Sequence, residues 1–248
     1  MLYYSHMNKI AVIGIGYVGL VTSTCFAQLG HQVIGADIDE KKISRLKKNI
    51  IPIFEEGLTE LVEKNQANGN LSFTINFKQA VQNSDIVFIA VGTPSLPDGS
   101  VDLSYVKNAS ESIGKSMNGY KVIINKSTVP VGTGNIVKNI IKQFYKGDFD
   151  VVSNPEFLRE GSAVFDFMNP DRIVIGSESK KAADIVNQLY APQNSPIVNT
   201  DIKTAEMIKY ASNAFLATQI SFINSIANIC EKIGADVNDV AKGMKLDP

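Results

Sequence analysis

The sequence predicts an α/β fold in which a doubly wound, mainly parallel β-sheet is followed by one long central helix. Short, continuous apolar runs alternate with helix-length segments, a pattern typical of parallel strands that helices cover on both faces. The pattern changes at about residue 200, because residues 201–233 contain neither Gly nor Pro. We therefore expect a sheet-containing domain at 1–199 and, at 200–248, the start of a second domain that is incomplete.

Seven apolar runs are interpreted as strands, and six of the segments between them as helices. The strands are expected at 10–13, 33–36, 71–75, 86–91, 122–124, 150–153 and 172–175. The helices are expected at 17–29, 41–49, 58–65, 105–117, 134–145 and 180–189. Because the connections are short, each strand–helix–strand unit should place its two strands parallel in one sheet.

The long helix is expected to cover residues 201–233, about 50 Å at 1.5 Å per residue. Asp201 is a suitable cap at its start and Gly234 a suitable stop. Apolar residues recur along it at spacings of three, four and seven: Ile208, Phe215, Phe222, Ile226, Ile229 and Ile233. A helix of this length either bridges two domains or packs against another subunit. One short helix is expected after it, at 237–244.

The composition excludes several classes of protein. Hydrophobic residues make up 44% and charged residues 20% of the chain, which is ordinary for a globular protein and excludes intrinsic disorder. The net charge of −1 gives no electrostatic basis for binding duplex nucleic acid or an anionic membrane. With two Cys and two His, neither a disulfide scaffold nor a metal site is predicted.

The sequence also shows no targeting segment. No apolar run approaches the roughly 18 residues that a membrane helix needs, and residues 1–8 lack the apolar core of a secretory signal. Met7 is an alternative start, which would make residues 1–6 an upstream extension. These features predict a cytoplasmic protein with reduced cysteines.

A glycine-rich turn follows the first predicted strand. Gly14, Gly16 and Gly19 form a Gly-x-Gly-x-x-Gly pattern that includes Tyr17 and Val18. Because the pattern ends an apolar strand and opens a helix, its glycines can serve the tight turn, the approach of a pyrophosphate and close helix packing. The free N–H groups at the start of the helix would face the phosphates. We therefore predict a Rossmann-like dinucleotide-binding domain rather than a purely structural turn.

An acidic residue closes the second predicted strand. Asp37 lies 21 residues after Gly16, where its carboxylate would accept hydrogen bonds from the ribose hydroxyls and repel a 2′-phosphate, so NAD is favoured over NADP. Asp39 is a competing acid two residues further on. Lys42 lies in a lysine-rich helix, which is either a solvated face or places Lys42 near the adenosine end of the cofactor.

Four segments together resemble the nucleotide-sugar 6-dehydrogenases, the UDP-glucose/GDP-mannose dehydrogenase family. They are GIGYVGL at 14–20, VGTP at 91–94 with DGS at 98–100, KSTVPVGT at 126–133, and NPEFLREG at 154–161, which continues through DFM at 166–168 to PDRIVIG at 170–176. The last segment is most similar to the UDP-glucose branch, with GDP-mannose and other nucleotide sugars as alternatives. The resemblance extends from about Lys9 to the last residue.

The resemblance implies an NAD-dependent oxidation of UDP-glucose to UDP-glucuronate, by two hydride transfers and a cysteine thioester. By resemblance, Lys209 and Asn213 bind the C6 oxygen from one face of the long helix, Lys209 as base or cationic stabiliser and Asn213 as amide donor. Without the family, a solvated lysine with a polar neighbour is the simpler interpretation. The resemblance also implies a homodimer paired through the long helix.

The same resemblance assigns roles in the loops. Glu160 would activate the hydrolytic water and contact the cofactor, Thr128 would offer its hydroxyl to that water, and Glu156 would support them, with a salt bridge or helix cap as its alternative role. The remaining implied contacts are Glu156, Phe157, Leu158, Arg159 and Glu160 with the substrate, and Thr93, Ser127 and Thr128 with the cofactor.

The sequence departs from the family at its nucleophile. The family's cysteine lies in a Gly-rich segment ending in Cys-Phe-Pro-Lys-Asp, which is absent here, and Cys25 and Cys230 are predicted to be core thiols. A second nucleotide-like domain is also lacking. We therefore expect a truncated chain that is inactive alone, with a non-catalytic NAD-binding and dimerisation module as the alternative. A 3-hydroxyacid dehydrogenase is disfavoured, because it would not need the 154–161 loop.

Overall fold

The computed structural model describes residues 7–246, in which eight strands form one sheet. The predicted extension at 1–6 lies outside the described residues. The strands are β1 (Lys9–Ile13), β2 (Gln32–Ala36), β3 (Leu71–Thr74), β4 (Ile86–Ile89), β5 (Val122–Asn125), β6 (Asp150–Ser153), β7 (Ile173–Ser177) and β8 (Ile197–Thr200). Their order across the sheet is β3-β2-β1-β4-β5-β6-β7-β8. Every neighbouring pair is parallel except β6 and β7, so the predicted mainly parallel sheet is confirmed.

Helices connect the strands on both faces of this sheet. The helices are α1 (Tyr17–Gln28), α2 (Glu40–Leu46), α3 (Leu58–Ala67), α4 (Phe77–Gln82), α5 (Ser104–Ser116), α6 (Thr133–Phe144), α7 (Ala163–Met168), α8 (Lys180–Tyr190), α9 (Ile202–Ile233) and α10 (Val237–Lys245). The chain passes from β3 at one edge back to β4, next to β1 in the middle of the sheet. Ligands of such sheets bind outside the carboxyl ends of the strands at this reversal.

Two buried clusters hold the helices against the sheet. On one face Phe26 of α1 lies at the centre of an aromatic group, with its ring centroid 5.2 Å from Phe88, 5.1 Å from Phe167 and 5.3 Å from Tyr190. On the other face Ile123 of β5 and Ile141 of α6 belong to the second cluster. Since both faces are covered, the carboxyl ends of the strands are held on a packed scaffold.

Three elements escaped the sequence prediction. The strand β8 pairs only with β7 at the edge of the sheet and none of its residues is buried, so it leaves no continuous apolar run. Each of α4 and α7 is six residues long with two buried residues, which is too short for a helical period to show. All the strands and helices that were predicted from the sequence are confirmed, with ends that differ by a few residues.

Contacts divide the chain into two compact units, one ending at Met207 and the other beginning at Ile208. The first contains the sheet and the first turns of α9. The predicted cap of α9 is confirmed, because Asp201 Oδ1 accepts a hydrogen bond from the Thr204 N–H at 2.9 Å. The predicted stop is also confirmed, since Gly234 follows the helix with φ +73°. The domain boundary predicted between 199 and 200 stays a prediction.

The second unit consists of the rest of α9 followed by α10. Several large apolar side chains of α9 are exposed, at fractions of 63% for Phe215, 50% for Phe222 and 54% for Ile229. They carry the heptad spacing seen in the sequence.

Within residues 7–246, no helix is both long and apolar enough to cross a membrane.

Candidate functional site

The glycine-rich turn lies between β1 and α1, and its three glycines differ in their surroundings. Gly14 has φ +91°, and a Cβ added to it would lie 2.9 Å from the Ala90 carbonyl oxygen. A Cβ added to Gly19 would lie 1.8 Å from the Gly14 oxygen, whereas one added to Gly16 would meet nothing within 4 Å. Gly14 and Gly19 are therefore required by the fold itself, while Gly16 leaves open space beside the start of α1.

Asp37 follows β2 and binds the same turn. Its Oδ2 accepts hydrogen bonds from the Ile15 N–H at 2.8 Å and from Lys42 Nζ at 2.9 Å, and its Oδ1 accepts one from the Asp39 N–H at 3.0 Å. Burial raises the pKa of Asp37, but these donors outweigh burial and lower the pKa below its usual value. Asp37 is therefore ionised at neutral pH.

Asp39 and Lys42, the neighbours of Asp37 in the sequence, have distinct contacts in the structure. Asp39 is the N-terminal cap of α2, because its Oδ1 accepts a hydrogen bond from the Lys42 N–H at 3.0 Å. The Lys42 ammonium forms an ion pair with Asp37 and is not merely part of a solvated face. Asp37, rather than Asp39, therefore carries the carboxylate next to the glycine turn.

A cavity of about 560 Å³ opens beside this carboxylate. Gly14, Gly16, Asp37 and Lys42 line it together with residues to which no role in the site was assigned from the sequence, namely Ile38, Ile75, Phe77, Val91 and Tyr105. The cavity thus combines apolar walls with one ionised acid and an open backbone segment, which fits the adenosine and pyrophosphate of a dinucleotide. Their positions in the chain could have indicated two of these residues, because Ile38 and Ile75 follow β2 and β3 at the carboxyl edge of the sheet.

Thr93, Ser127 and Thr128 come together at the next part of this edge. The Thr93 hydroxyl donates to the Thr128 carbonyl oxygen at 2.8 Å, and the Ser127 hydroxyl donates to the Val91 oxygen at 2.7 Å. The loops after β4 and β5 are therefore cross-linked by hydrogen bonds. This linkage positions the Thr93, Ser127 and Thr128 backbone at the carboxyl edge, and their contacts with a cofactor stay a prediction.

The 154–161 loop begins in a buried polar cluster. The Asn154 Nδ2 donates to the Val174 oxygen at 2.8 Å, and its Oδ1 accepts from Lys126 Nζ at 3.0 Å and from the Tyr190 hydroxyl at 2.5 Å. Asn154, Lys126 and Tyr190 are all buried. A buried hydrogen-bonded cluster of this kind restrains its members to one arrangement, so the start of the loop is held in place.

Side chains within the loop determine its path. The Glu156 carboxylate accepts a hydrogen bond from the Leu158 N–H at 2.7 Å, within the loop itself. Arg159 forms a two-pronged pair with Asp166, at 3.0 Å from Nε and 2.6 Å from an Nη. The Arg172 guanidinium lies 3.9 Å from the centre of the Phe157 ring. The loop lines a second cavity, of about 200 Å³.

The end of the loop is bound to the glycine turn through Glu55, a residue that the sequence did not indicate. Glu55 is buried and accepts hydrogen bonds from the Gly161 N–H at 2.6 Å, the Ala163 N–H at 2.9 Å and the Tyr17 hydroxyl. Burial, the Glu55 contact and the charge of Glu160 all raise the pKa of Tyr17. Gly161, which follows Glu160, is thus bonded to the same carboxylate as Tyr17, the first residue of α1.

Lys209 and Asn213 belong to the second unit, four residues apart on α9. Lys209 is buried, whereas Asn213 is exposed.

Both cysteines are buried, as predicted, and burial raises the pKa of the Cys25 thiol to about 12. Cys25 is therefore protonated at neutral pH and is not a nucleophile. Across residues 7–246, no group of three His, Cys, Asp or Glu side chains is placed to hold a metal ion.

Comparison with known proteins shows the family. Residues 8–194 match the profile described as "UDP-glucose/GDP-mannose dehydrogenase family, NAD binding domain". The chain belongs to this family. Residues 203–248 match the family's central domain. The family resemblance read from the sequence is thus confirmed, and the fingerprint, Asp37 and the larger cavity all lie within the matched NAD binding domain.

Individual members of the UDP-glucose/GDP-mannose dehydrogenase family are closely similar to this chain. UDP-glucose 6-dehydrogenase TuaD of Bacillus subtilis is 60% identical over 243 residues, which are 97% of this chain and 53% of TuaD. The solved UDP-glucose dehydrogenase of Pyrobaculum islandicum is 40% identical with a TM-score of 0.96, covering 100% of this chain and 58% of that one. The solved GDP-mannose dehydrogenase of Pseudomonas aeruginosa is 37% identical with a TM-score of 0.94, covering 96% and 57%. The chain therefore spans about half the length of the relatives it matches.

Proposed function

We propose that this chain is the cofactor-binding part of an NAD-dependent UDP-glucose 6-dehydrogenase, which oxidises UDP-glucose to UDP-glucuronate. The ionised Asp37 beside the open backbone of Gly16, in a cavity with apolar walls, carries the proposal for the cofactor. The substrate is proposed from similarity, since TuaD is 60% identical and the GDP-mannose dehydrogenase 37%. A free-standing module that binds NAD without catalysis is the alternative for this chain in isolation.

The cofactor residues act by binding and orientation. Asp37 accepts hydrogen bonds from the adenosine ribose hydroxyls, with Lys42 beside it, and the N–H groups at the start of α1 face the pyrophosphate. NAD, when bound, accepts the hydride that leaves C6 of the sugar. The residues proposed for the cofactor are Gly14, Gly16, Tyr17, Val18, Gly19, Asp37, Lys42, Thr93, Ser127, Thr128 and Glu160.

The proposed substrate residues hold the sugar and move protons. Lys209 stabilises or deprotonates the C6 oxygen and Asn213 donates its amide to it. Glu160 and Thr128 direct the hydrolytic water, with Glu156 in support. The 156–160 loop, which includes Phe157, Leu158 and Arg159, cradles the sugar. A homodimer paired through α9 and a cytoplasmic location complete the proposal.

Replacing Asp37 by alanine is expected to narrow the preference for NAD over NADP at least about tenfold, equivalent to about 1.4 kcal/mol. The carboxylate that accepts from the ribose is lost, while Lys42 remains to attract a 2′-phosphate. Titration calorimetry with both cofactors measures the ratio of their dissociation constants. Glu40→Ala is the matched control, because it removes an exposed carboxylate from the adjacent α2. Equal affinities for NAD and NADP in the unmodified chain would refute the role of Asp37.

Replacing Lys209 by alanine is expected to weaken UDP-glucose binding to the NAD-saturated chain about tenfold, or about 1.4 kcal/mol, because the cation that holds the C6 oxygen is removed. Ligand-observed NMR measures this binding. Lys203→Ala is the control, since it removes an exposed lysine of the same helix. Asn213→Ala tests the same role at an exposed position, where folding is not at risk. Unchanged UDP-glucose binding in both the Lys209 and Asn213 variants would contradict their proposed roles.

A further inference from the structure

The most informative side chain outside the predicted site is the carboxylate of Glu55. It lies in the connection between α2 and α3 and is buried, with 5% of its surface exposed. Its Oε1 accepts hydrogen bonds from the Gly161 N–H and the Tyr17 hydroxyl, and its Oε2 accepts one from the Ala163 N–H. One buried acid thus contacts two segments of the site that lie far apart in the sequence.

The chemistry of these contacts requires a charged acceptor. All three partners are donors, and Glu55 offers the two oxygens that they need. Burial raises the pKa of Glu55, but the hydrogen bonds from Tyr17, Gly161 and Ala163 outweigh burial and lower the pKa below its usual value. The carboxylate is therefore ionised, and hydrogen bonds to an ionised acceptor are shorter and stronger than neutral ones.

The two segments that Glu55 joins have different proposed tasks. Tyr17 is the first residue of α1 and follows Gly16, where the pyrophosphate is proposed to bind. Gly161 and Ala163 follow Glu160, which is proposed to act on the water and the cofactor. The Tyr17 hydroxyl oxygen also lies 3.3 Å from the Arg159 carbonyl oxygen, although its single proton is donated to Glu55. The residues on either side of Glu160 therefore adjoin this contact, with Arg159 beside the Tyr17 hydroxyl and Gly161 bonded to Glu55.

We propose that Glu55 is a positioning residue that couples the cofactor turn to the 154–161 loop, so that binding of NAD at the turn fixes Glu160 for its task. Glu55 acts through Tyr17 and through the backbone on either side of Glu160. This inference rests on the proposed binding of NAD, and it adds a route by which an occupied cofactor site orders the substrate loop.

The test is amide hydrogen exchange at Gly161 and Ala163, with and without NAD, combined with NAD calorimetry. In the unmodified chain NAD is expected to slow the exchange of both amides. Glu55→Gln places an NH₂ group where one oxygen accepted an N–H, so exchange should be at least about tenfold faster. The same variant should bind NAD about tenfold more weakly, equivalent to about 1.4 kcal/mol. Glu56→Gln, an adjacent exposed position, should match the unmodified chain.

A second variant separates coupling from simple support of the fold. Tyr17→Phe leaves the bonds from Gly161 and Ala163 to Glu55 but removes the hydroxyl that reaches it. With NAD at a concentration that calorimetry shows to saturate this variant, NAD should no longer slow the exchange of Gly161 and Ala163. This variant decides the question if Glu55→Gln fails to fold, since the partly buried Tyr17 ring keeps its packing against the core.

Failure of the coupling can be distinguished from failure of the proposed function. If the unmodified chain binds NAD and NAD still protects Gly161 and Ala163 fully in Tyr17→Phe, the coupling is wrong while the proposed function stands. The same holds if a folded Glu55→Gln variant keeps the NAD affinity and protection of the unmodified chain. If the unmodified chain binds no NAD, the proposed function fails and this inference fails with it.

Discussion

Replacing Gly16 by alanine is expected to weaken NAD binding at least about 100-fold, about 2.7 kcal/mol, while the free energy of unfolding stays within about 0.5 kcal/mol of its original value. Gly16 has φ −81°, which any residue adopts, and an added Cβ meets nothing within 4 Å. The methyl group would instead occupy the space through which a pyrophosphate approaches the backbone. Calorimetry and urea unfolding measure the two effects separately.

Gly19→Ala is the contrasting variant in the same turn. A Cβ there would lie 1.8 Å from the Gly14 oxygen, so α1 would have to move away from β1. We expect it to destabilise the fold by roughly 3 kcal/mol or more, because overpacking of a close backbone contact forces the backbone to shift. If Gly16→Ala bound NAD as tightly as the unmodified chain, the proposed position of the pyrophosphate would be wrong.

The double substitution Phe222→Glu with Ile229→Glu is expected to convert a self-associated chain into a monomer without unfolding it. Both side chains are half-exposed and neither belongs to the two buried clusters, so the change is expected to leave the core intact. Fully burying such a side chain contributes about 1.5–3 kcal/mol, which gives a partner surface on α9 a large driving force. Light scattering at tens of micromolar measures the mass of both chains.

The control for this experiment places the same charges elsewhere on α9. Asn224 and Asn228 are exposed and lie outside the apolar stripe, about 160° and about 120° from Phe222 around the helix axis at 100° per residue. Asn224→Glu with Asn228→Glu should therefore leave the association unchanged. A monomeric unmodified chain at this concentration would reject pairing through α9.

The sequence was most informative where structure is local. The turn after β1, the acid after β2 and the ends of α9 were predictable, because a glycine pattern, a strand end and a cap each depend on neighbouring residues. Their spacing from the glycine turn did not fully decide whether Asp37 or Asp39 is the acid beside that turn. Only the contacts show that Asp39 caps α2 while Asp37 binds the Ile15 N–H.

The contacts that could not be predicted join distant parts of the chain. Glu55 lies in a segment with no helical or strand period, and its backbone partners Gly161 and Ala163 are 106 and 108 residues further on. The apolar walls of the larger cavity, such as Ile38 and Phe77, also come together only through the order of the strands. Sequence patterns carry no information on such pairings unless a family supplies it.

The proposed roles of Gly16, Asp37 and Glu55 all depend on the binding of NAD by the unmodified chain. Titration calorimetry of residues 1–248 should give a dissociation constant in the micromolar range, about −8 kcal/mol, with NADP bound much more weakly. No detectable heat of NAD binding at millimolar concentration, from a chain shown to be folded, would contradict the proposed roles of all three residues.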